Sequence, residues 1–345
     1  MTTEHILRVL ILSVFACLSL FCMSMLSSHW EAERRAAILL ADLETRINQR
    51  SSGKVSNAAI HSTFQWSRQG EKPPIQHCAN GVRATANYAV VSLLTLDQRW
   101  HYTQSAVKLA RSVRWWLSAE QADLLMMTTG SVDAEHVSDL RRAGWKICQV
   151  PVIEHASNTS VRTYLRFFEA KMYSKLNAWA LTEYEAVLFL DLDTLVIRDP
   201  SLLFTHHLPA MRKAGKTLGA VRDRPEALSK FFNAGVLLLL TDRVAFDRLT
   251  ASISRVPHDE FQAEQGLLNA LYGQSVYHLP FIYNANLVSK RVESDLWYRN
   301  EHSISILHFT VSKPWTRPGF ASPIPHLECW WWSTEDLCEL WERIK

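Results

Sequence analysis

The chain has 345 residues, a length that allows one large domain or two domains of ordinary size. Hydrophobic residues make up 48% and charged residues 21%, a balance typical of globular rather than disordered proteins. The formal net charge of +3 is small for this length, so no nucleic-acid partner is indicated.

The first notable segment is residues 9–28, which contain no charged side chain. A helix needs about 20 apolar residues to cross a bilayer, so this segment predicts a transmembrane signal-anchor after a short cytosolic head of residues 1–8. A cleaved signal peptide and a buried core helix are the alternatives, although no clear cleavage site follows. Basic residues lie on both sides, so the positive-inside rule does not orient the segment. The large domain that follows favours a lumenal, type II orientation.

Residues 29–81 are polar and have no clear hydrophobic rhythm, apart from a stretch of good helix formers at 31–49. Serine, glycine and proline residues between 51 and 74 are typical of a linker. We interpret residues 29–81 as a stem and residues 82–345 as the folded domain.

From residue 88 onward, strand and helix patterns alternate. Four apolar runs have the length of strands covered on both faces: Tyr88–Thr95, Asp123–Thr129, Trp145–Ile153 and Ala186–Leu190. Helical patterns separate them: a face of Ala106, Leu109, Ala110 and Val113, a segment at 133–142 closed by Gly144, and roughly Val161–Leu181. The alternation predicts an α/β domain with a mostly parallel sheet, whose ligands bind beyond the carboxyl ends of the strands.

Six cysteines are present, of which Cys17 and Cys22 fall in the apolar segment. The other four are Cys78, Cys148, Cys329 and Cys338. If the domain is lumenal, this even number allows one or two disulfides, including a local bridge between the last two. No pair has C-x-x-C spacing, so a zinc site is not indicated. A glycosylation sequon begins at Asn158, although such triplets also occur by chance.

The strongest chemical feature is the pair Asp191 and Asp193 at the end of the fourth apolar run. Two neighbouring buried carboxylates are costly unless a cation joins them, and oxygen ligands suit magnesium or manganese. A cation there would also bridge a diphosphate and neutralise a leaving group. A bare D-x-D is more often a solvated turn, so the pair alone does not decide between these readings.

A second feature is ILHFTVSKPW at residues 306–315, which delivers His308 at the end of a strand-like run and Lys313 shortly after it. Imidazole is a common ligand of transition metals, and a lysine contacts phosphate oxygens as a point charge. A hydrogen-bonded structural histidine and a solvated lysine are the ordinary alternatives.

With these residues in place, the sequence resembles glycosyltransferase family 8, especially its glycogenin-like branch. The resemblance covers roughly Tyr88–Trp315 and consists of five ordered blocks: residues 171–199, FFNAGVLLL at 231–239, EQGLLN at 264–269, LPFIYN at 279–284 and HFTVSKPW at 308–315. It implies a GT-A fold, a Rossmann-like sheet that holds a UDP-sugar with manganese, or with magnesium as the alternative.

The resemblance also implies roles for individual residues. The metal ligands would be Asp191, Asp193 and His308. The donor contacts would be Lys175 and Lys313 to phosphate, Thr95 and Asp97 to uridine, and Gly235 beside the sugar. The residues near the reacting carbon would be Asn233, Glu264 and Gln265. Structural readings stay open: an exposed helix lysine at 175, a plain buried strand at 95–97, a strand bulge at 233–235 and an exposed helix face at 264–265.

The chain departs from the glycogenin pattern at Phe261–Gln265, where the first acidic residue is replaced by phenylalanine and the second is a glutamate. The donor sugar and any self-glycosylation therefore stay open. The loop between His308 and Lys313 is also one residue shorter than in glycogenin.

The implied reaction is retaining transfer of a hexose or related sugar to a hydroxyl group of a glycan, a protein or a small molecule. Front-face transfer is favoured, and Glu264 is the candidate nucleophile for a double displacement. The implied location is the Golgi or another secretory-pathway membrane. The alternatives are an inactive UDP-sugar-binding protein of the same fold and another metal enzyme that acts on diphosphates. The tryptophans at 330–332 would stack on acceptor sugars, rest on the membrane or pack in the core.

Overall fold

The computed structural model describes residues 78, 82–95, 100–130, 132–153, 171–223, 231–310 and 313. These residues all belong to a compact unit that spans Lys72–Lys345. No helix among them is long and apolar enough to span a bilayer. The predicted anchor at 9–28, almost all of the predicted stem, Asp97, Asn158 and the residues after 313 lie outside the described residues.

The first half of the domain follows the predicted alternation. Its elements are β1 (Tyr88–Leu94), α1 (Trp100–Arg114), β2 (Asp123–Thr128), α2 (Ala134–Arg142) and β3 (Lys146–Gln149). All four residues of the predicted α1 face are fully buried, and Gly144 has a φ of +99°, which favours glycine after a helix. The third strand is shorter than the predicted run.

The second half brings smaller elements around the same sheet. They are β4 (Ala186–Leu190), β5 (Thr194–Val196), α3 (Leu208–Lys213), β6 (Leu218–Arg222), β7 (Phe232–Leu240), α4 (Arg243–Ser252), α5 (Ala263–Tyr272), β8 (Tyr277–His278), β9 (Ala285–Asn286), α6 (Leu287–Val292), α7 (Ser294–Asn300) and β10 (Ile306–His308). The strand predicted at 186–190 is confirmed.

The main sheet has the order β3-β2-β1-β4-β7-β6-β8. The strands from β3 to β4 are parallel, but β7 is antiparallel to both β4 and β6, and β8 is parallel to β6. The sheet is therefore mixed rather than mostly parallel throughout. A continuous apolar run such as that of β7 predicts burial on both faces, but it does not encode the direction of the strand.

Side chains of β4 alternate between two hydrophobic cores, one on each face of the sheet. Phe189 packs in the core that contains Leu176 and Trp179, whereas Leu188 packs in the core that contains Leu109 of α1. Burial on both faces fixes the position of β4, and its carboxyl end therefore presents the next residues at a defined point of the sheet edge.

A second, three-stranded sheet of order β5-β10-β9 carries the C-terminal motif to the same place. β10 is antiparallel to β5 and pairs His308 with Thr194. The backbone N of Phe309 also donates to the Asp193 carbonyl oxygen at 2.9 Å. This ladder places His308 beside Asp193 although the two residues are far apart in sequence.

The long helix predicted at roughly Val161–Leu181 has 3₁₀ rather than α-helical geometry in its described part. Residues Tyr173–Ala180 form a 3₁₀ helix, and residues 161–170 lie outside the described residues. Ser174 Oγ accepts from the Ile153 backbone N at 3.0 Å, and Asn177 Nδ2 donates to the Ser174 and Pro151 carbonyls at 2.8 and 3.1 Å. Such side-chain bonds to the backbone compete with regular α-helical geometry.

A disulfide links Cys78 to Cys148 of β3, with a Cα–Cα distance of 5.0 Å. The sequence allowed a bridge among the four later cysteines without identifying this pair. Cys78 lies within the predicted stem, four residues before the predicted domain boundary at residue 82, so a soluble fragment needs to begin before Cys78 to retain the bond.

Asp123, the first residue of β2, is a buried carboxylate that joins three parts of the domain. It accepts hydrogen bonds from the Thr85 backbone N at 2.8 Å and the Tyr184 hydroxyl at 3.0 Å, and it lies 2.7 Å from Lys146 Nζ. Burial alone would raise the pKa of Asp123, but the contacts with Lys146 and Thr85 outweigh it and hold the pKa below its ordinary value.

We expect Asp123→Asn to lower the free energy of unfolding at pH 7 by about 2–3 kcal/mol, because charge-assisted hydrogen bonds are lost. The folded-state pKa lies below the unfolded value of about 3.9, so this contribution is present above that value and is lost as the pH falls through the folded pKa. The difference in the free energy of unfolding between the variant and wild type should shrink as the pH falls, and urea unfolding at neutral and acidic pH measures it. Asp139→Asn, which breaks an exposed pair with Arg142, is the control and should cost about 1 kcal/mol or less. A difference that stays constant down to the lowest pH would contradict this account.

Candidate active site

The acidic pair occupies a turn directly after β4. The Asp191 backbone N donates to the Gly235 carbonyl at 2.8 Å. Thr194 donates two hydrogen bonds to the Asp191 carbonyl, one from its backbone N at 3.0 Å and one from its hydroxyl at 2.7 Å. The side chain of Asp191 is 23% exposed and that of Asp193 is 11% exposed. Both carboxylates therefore lie at the carboxyl edge of the sheet, as the sequence predicts.

His308 completes a set of three potential ligands. Its Nε2 lies 3.3 Å from Asp193 Oδ1, and one ligand atom from each of Asp191, Asp193 and His308 lies within 4.8 Å of the others. Two carboxylate oxygens and one imidazole nitrogen suit a divalent cation such as Mn²⁺.

The hydrogen bond on the other ring nitrogen supports this fit. His308 Nδ1 lies 2.9 Å from Asn284 Oδ1, while Asn284 Nδ2 donates to Asn233 Oδ1 at 2.9 Å. Because Asn284 presents its oxygen to the ring, we assign the proton to Nδ1. Nε2 is then the nitrogen that faces the carboxylates, and it is the one placed to act as a ligand, as in a metal-binding histidine.

Lys313 adds a positive charge at the rim of the site. Its ammonium group bonds to Asp193 Oδ2 and donates to the carbonyls of Phe309 at 3.0 Å and Thr310 at 2.9 Å. Burial alone would raise the pKa of Asp193, but Lys313 and His308 hold it well below its ordinary range. Asp193 is therefore ionised at neutral pH and able to bind a cation.

Lys175 lies beneath the acidic pair and is almost completely buried, with 1% of its side chain exposed. Its Nζ lies 2.9 Å from Asp191 Oδ1 and 2.6 Å from Glu264 Oε1, and it donates to the Ala234 carbonyl at 3.1 Å. An ammonium group has three N–H bonds, and these contacts engage all of them. The structure thus places Lys175 as a support for Asp191 and Glu264, while the predicted phosphate contact stays a prediction.

The ammonium group of Lys175 is the positive charge shared by the carboxylates of Asp191 and Glu264. Burial would lower the pKa of Lys175, but Asp191 and Glu264 together raise it. Burial raises the pKa of Glu264, and the attraction of Lys175 only partly offsets this. The charge balance at the base of the site therefore depends on Lys175.

Asn233 and Gly235 lie in β7, where the backbone approaches the histidine. Asn233 Oδ1 accepts from the Gly235 backbone N at 2.9 Å, and Asn233 Nδ2 donates to Asp223 Oδ1 at 2.9 Å. A chain of hydrogen bonds therefore runs from His308 through Asn284 and Asn233 to Asp223. Sequence reasoning singled out Asn233 but neither Asn284 nor Asp223, although Asn284 ends the LPFIYN block.

Gly235 leaves no room for a side chain. A Cβ atom at this position would lie 2.1 Å from His308 Cε1. We expect Gly235→Ala to displace the imidazole and to reduce the sugar transfer that the family resemblance implies by about a hundredfold, the order of loss that a misplacement of about 1 Å causes.

UDP release and Mn²⁺ titration of the Gly235→Ala variant test this prediction. Gly219→Ala, on the neighbouring strand β6, is the matched control, since its tightest contact would be 3.3 Å to the flexible Met211 side chain. Wild-type activity and Mn²⁺ affinity in Gly235→Ala would contradict the predicted contact.

Glu264 and Gln265 lie in the first turn of α5 rather than on an exposed helix face. Glu264 is buried, and Gln265 Oε1 accepts from the Ala234 backbone N at 2.9 Å while its Nε2 donates to Gln262 at 2.9 Å. Gln265 therefore holds β7 in place, and Glu264 faces the acidic pair through Lys175.

Two further residues extend the site toward β1 and α1. Thr95 is buried just after β1, which is parallel to β4, so both strands end at the same edge. The predicted uridine contact of Thr95 stays a prediction, and Asp97 lies outside the described residues. Burial, together with the charges of Asp193 and Asp191, raises the pKa of Tyr102 to about 12. Tyr102 therefore lies within electrostatic range of the acidic pair, and no sequence pattern marked it.

Comparisons with known proteins identify the family of this chain. The family model described as Glycosyl transferase family 8 matches residues 83–319. UDP-glucuronate:xylan alpha-glucuronosyltransferase 1 of Arabidopsis thaliana is 24% identical over 255 residues, which cover 68% of this chain and 35% of the relative. Glycogenin-1 of Caenorhabditis elegans is 27% identical over 244 residues, covering 69% of this chain and 53% of the relative. The matched part thus spans about a third to a half of these relatives.

Among solved structures, the apo form of the glycosyltransferase GlyE from Streptococcus pneumoniae TIGR4 is similar with a TM-score of 0.52. It is 18% identical, and the match covers 74% of this chain and 64% of that one. At this identity the likeness concerns the fold alone, and it agrees with the predicted GT-A-like architecture.

Proposed function

The chain belongs to glycosyl transferase family 8, and from this membership we propose that it is a retaining, manganese-dependent transferase that moves a sugar from a UDP-sugar to a hydroxyl acceptor. The observation that carries the proposal is the convergence of Asp191, Asp193 and His308 at the carboxyl edge of the sheet. The name of one relative states a UDP-linked donor, which supports the same class of donor here. The acceptor belongs to the class of glycans, proteins or small molecules that offer a free hydroxyl.

Asp191, Asp193 and His308 would hold the cation, with Mg²⁺ as the alternative to Mn²⁺. When bound, the cation supplies electrostatic stabilisation of the diphosphate leaving group. Lys313 brings a further positive charge to the same side, because its ammonium group already lies on Asp193 at the rim of the site. Preorganised charge of this kind stabilises negative charge that develops as the glycosidic bond breaks.

Front-face transfer is the mechanism we propose, with the acceptor hydroxyl entering on the side from which UDP leaves and its proton passing to the diphosphate. The contact of Glu264 with Lys175 supports this choice, since a carboxylate held at 2.6 Å by a buried ammonium is restrained from attacking a sugar. Trapping of a glycosyl adduct on Glu264 would replace front-face transfer by double displacement.

We also propose that the domain works in the lumen of the secretory pathway, in the Golgi or a related compartment, anchored through residues 9–28. The disulfide between Cys78 and Cys148 supports an oxidising compartment, because such bonds are rare in the reducing cytosol.

The test is release of UDP by the full-length protein, purified in detergent, against a panel of UDP-sugars with Mn²⁺, with and without chelator. Release from one donor that stops with chelator would support the proposal and identify the donor. Metal-dependent UDP binding without turnover on any donor, with acceptors present, would instead favour an inactive binding protein. Absence of both UDP binding and turnover would refute the proposed site.

A further inference from the structure

A cleft of about 560 Å³ lies beyond the carboxyl ends of β6 and β8. We call it the outer cleft; its polar walls are formed by Arg222, His278, Glu293, Asp295 and Arg299. The first two residues end the parallel strands β6 and β8, and the other three belong to the α6–α7 corner and α7. Ligands of α/β sheets bind at such strand ends.

The outer cleft adjoins the proposed active site through two segments. Arg222 pairs with Phe232 of β7 and precedes Asp223, which bonds to Asn233. On the other side, the cleft residue Leu279 begins the segment that leads to Asn284, the partner of His308. A molecule in the outer cleft would therefore touch segments that continue into the proposed active site.

Glu293 is a carboxylate whose hydrogen-bonding capacity is not met within the described part of the chain. Its Oε1 is buried and has no hydrogen-bond partner there. An unsatisfied buried oxygen of this kind is unfavourable, because it has lost its hydrogen bonds to water without gaining any in the protein. Because Glu293 lines the cleft and is only half-buried, a small rotation of its carboxylate would let a donor group in the cleft satisfy this oxygen.

The chemistry of the walls suits a neutral molecule with many hydroxyl groups. Among the described residues that line the cleft, Arg222 and Arg299 carry hydrogen-bond donors and Glu293 and Asp295 carry acceptors, and these two positive charges equal the two negative ones when His278 is neutral. Phe281, together with neighbouring leucines, adds an apolar wall against which the C–H face of a sugar ring packs. A charged ligand would meet a charge of its own sign, and therefore repulsion, on one wall or the other.

We propose that the outer cleft binds a neutral oligosaccharide acceptor, with Glu293 accepting a hydrogen bond from a sugar hydroxyl and Arg299 donating one. This inference rests on the proposed glycosyltransferase function and specifies its acceptor class. It places the end of the acceptor away from the reaction on α7 and the α6–α7 corner, and the reacting hydroxyl toward Asn233.

The test is direct binding by the full-length protein in detergent, in the presence of UDP and Mn²⁺. Xylotetraose, maltotetraose and chitotetraose are titrated by calorimetry against wild type, Glu293→Gln and Arg299→Met. Arg299 lies on the exposed rim, so this variant folds even if Glu293→Gln does not. Glu135→Gln, an exposed residue in the first turn of α2, is the matched control.

We expect wild type and Glu135→Gln to bind at least one of the oligosaccharides, and the two cleft variants to bind it about tenfold more weakly while UDP affinity is retained. Equal oligosaccharide affinity in all four proteins, or no binding by wild type that does bind UDP, would overturn the acceptor cleft alone. Failure of wild type to bind UDP would overturn the proposed function as well.

Discussion

Replacing Asp193 by asparagine is expected to lower sugar transfer by about a thousandfold. Asp193 contacts both His308 and Lys313, so the change removes a ligand charge and also the anion that holds these two groups in place. Loss of one preorganised electrostatic group typically costs a hundred- to a thousandfold in rate, and here three groups are affected together.

UDP release under saturating donor and titration with Mn²⁺ measure this effect. Asp247→Asn is the control, since it makes the same substitution on the exposed face of α4, where Asp247 pairs with the exposed Arg243. Activity within a few-fold of wild type, with unchanged Mn²⁺ dependence, would show that Asp193 is not a ligand.

Lys175→Met is expected to be the most destabilising substitution in the site, with a loss of about 3–5 kcal/mol in the free energy of unfolding. The variant leaves the buried carboxylate of Glu264 and the partly buried carboxylate of Asp191 without the cation that they share. Removing one partner of a buried ion pair typically costs this amount. Adding Glu264→Gln removes one of the two charges, so the double variant should recover part of the lost stability.

Urea unfolding measures these effects. Lys146→Met is the comparison, because Lys146 also pairs with a buried aspartate but keeps 32% of its side chain exposed, so water replaces part of the interaction. A Lys175→Met variant with wild-type stability but weaker donor binding would support the phosphate contact predicted from the family resemblance, and would contradict the supporting role assigned here.

The sequence predicted the parts of the fold in which local pattern and burial agree. The apolar runs of β1 and β4 and the periodic face of α1 lie where predicted, because two-sided burial selects apolar runs and helix packing selects a 3.6-residue period. The direction of β7 was not predictable, since an apolar strand has the same pattern in either direction.

The site was predictable only where a motif marked it. The convergence of Asp193 with His308 depends on the β5–β10 ladder, a long-range pairing that no local spacing reveals, and it was expected only through the family resemblance. No sequence motif identified Asn284 or Tyr102 as site residues. Lys175 resembles a surface lysine in sequence, because nothing in its local pattern indicates that two carboxylates face it from other segments.

The disulfide between Cys78 and Cys148 closes a covalent ring that contains β1, α1, β2 and α2, whereas Asp191, Asp193 and His308 all lie outside it. A protease that cuts inside the ring, for example at the exposed residues 118–121 between α1 and β2, would produce a nicked protein whose two pieces stay joined until a reductant is added. The pieces would migrate as one band without reductant and as two bands with it. Thr95, with its predicted uridine contact, and the three candidate metal ligands would then belong to separate polypeptides of one molecule.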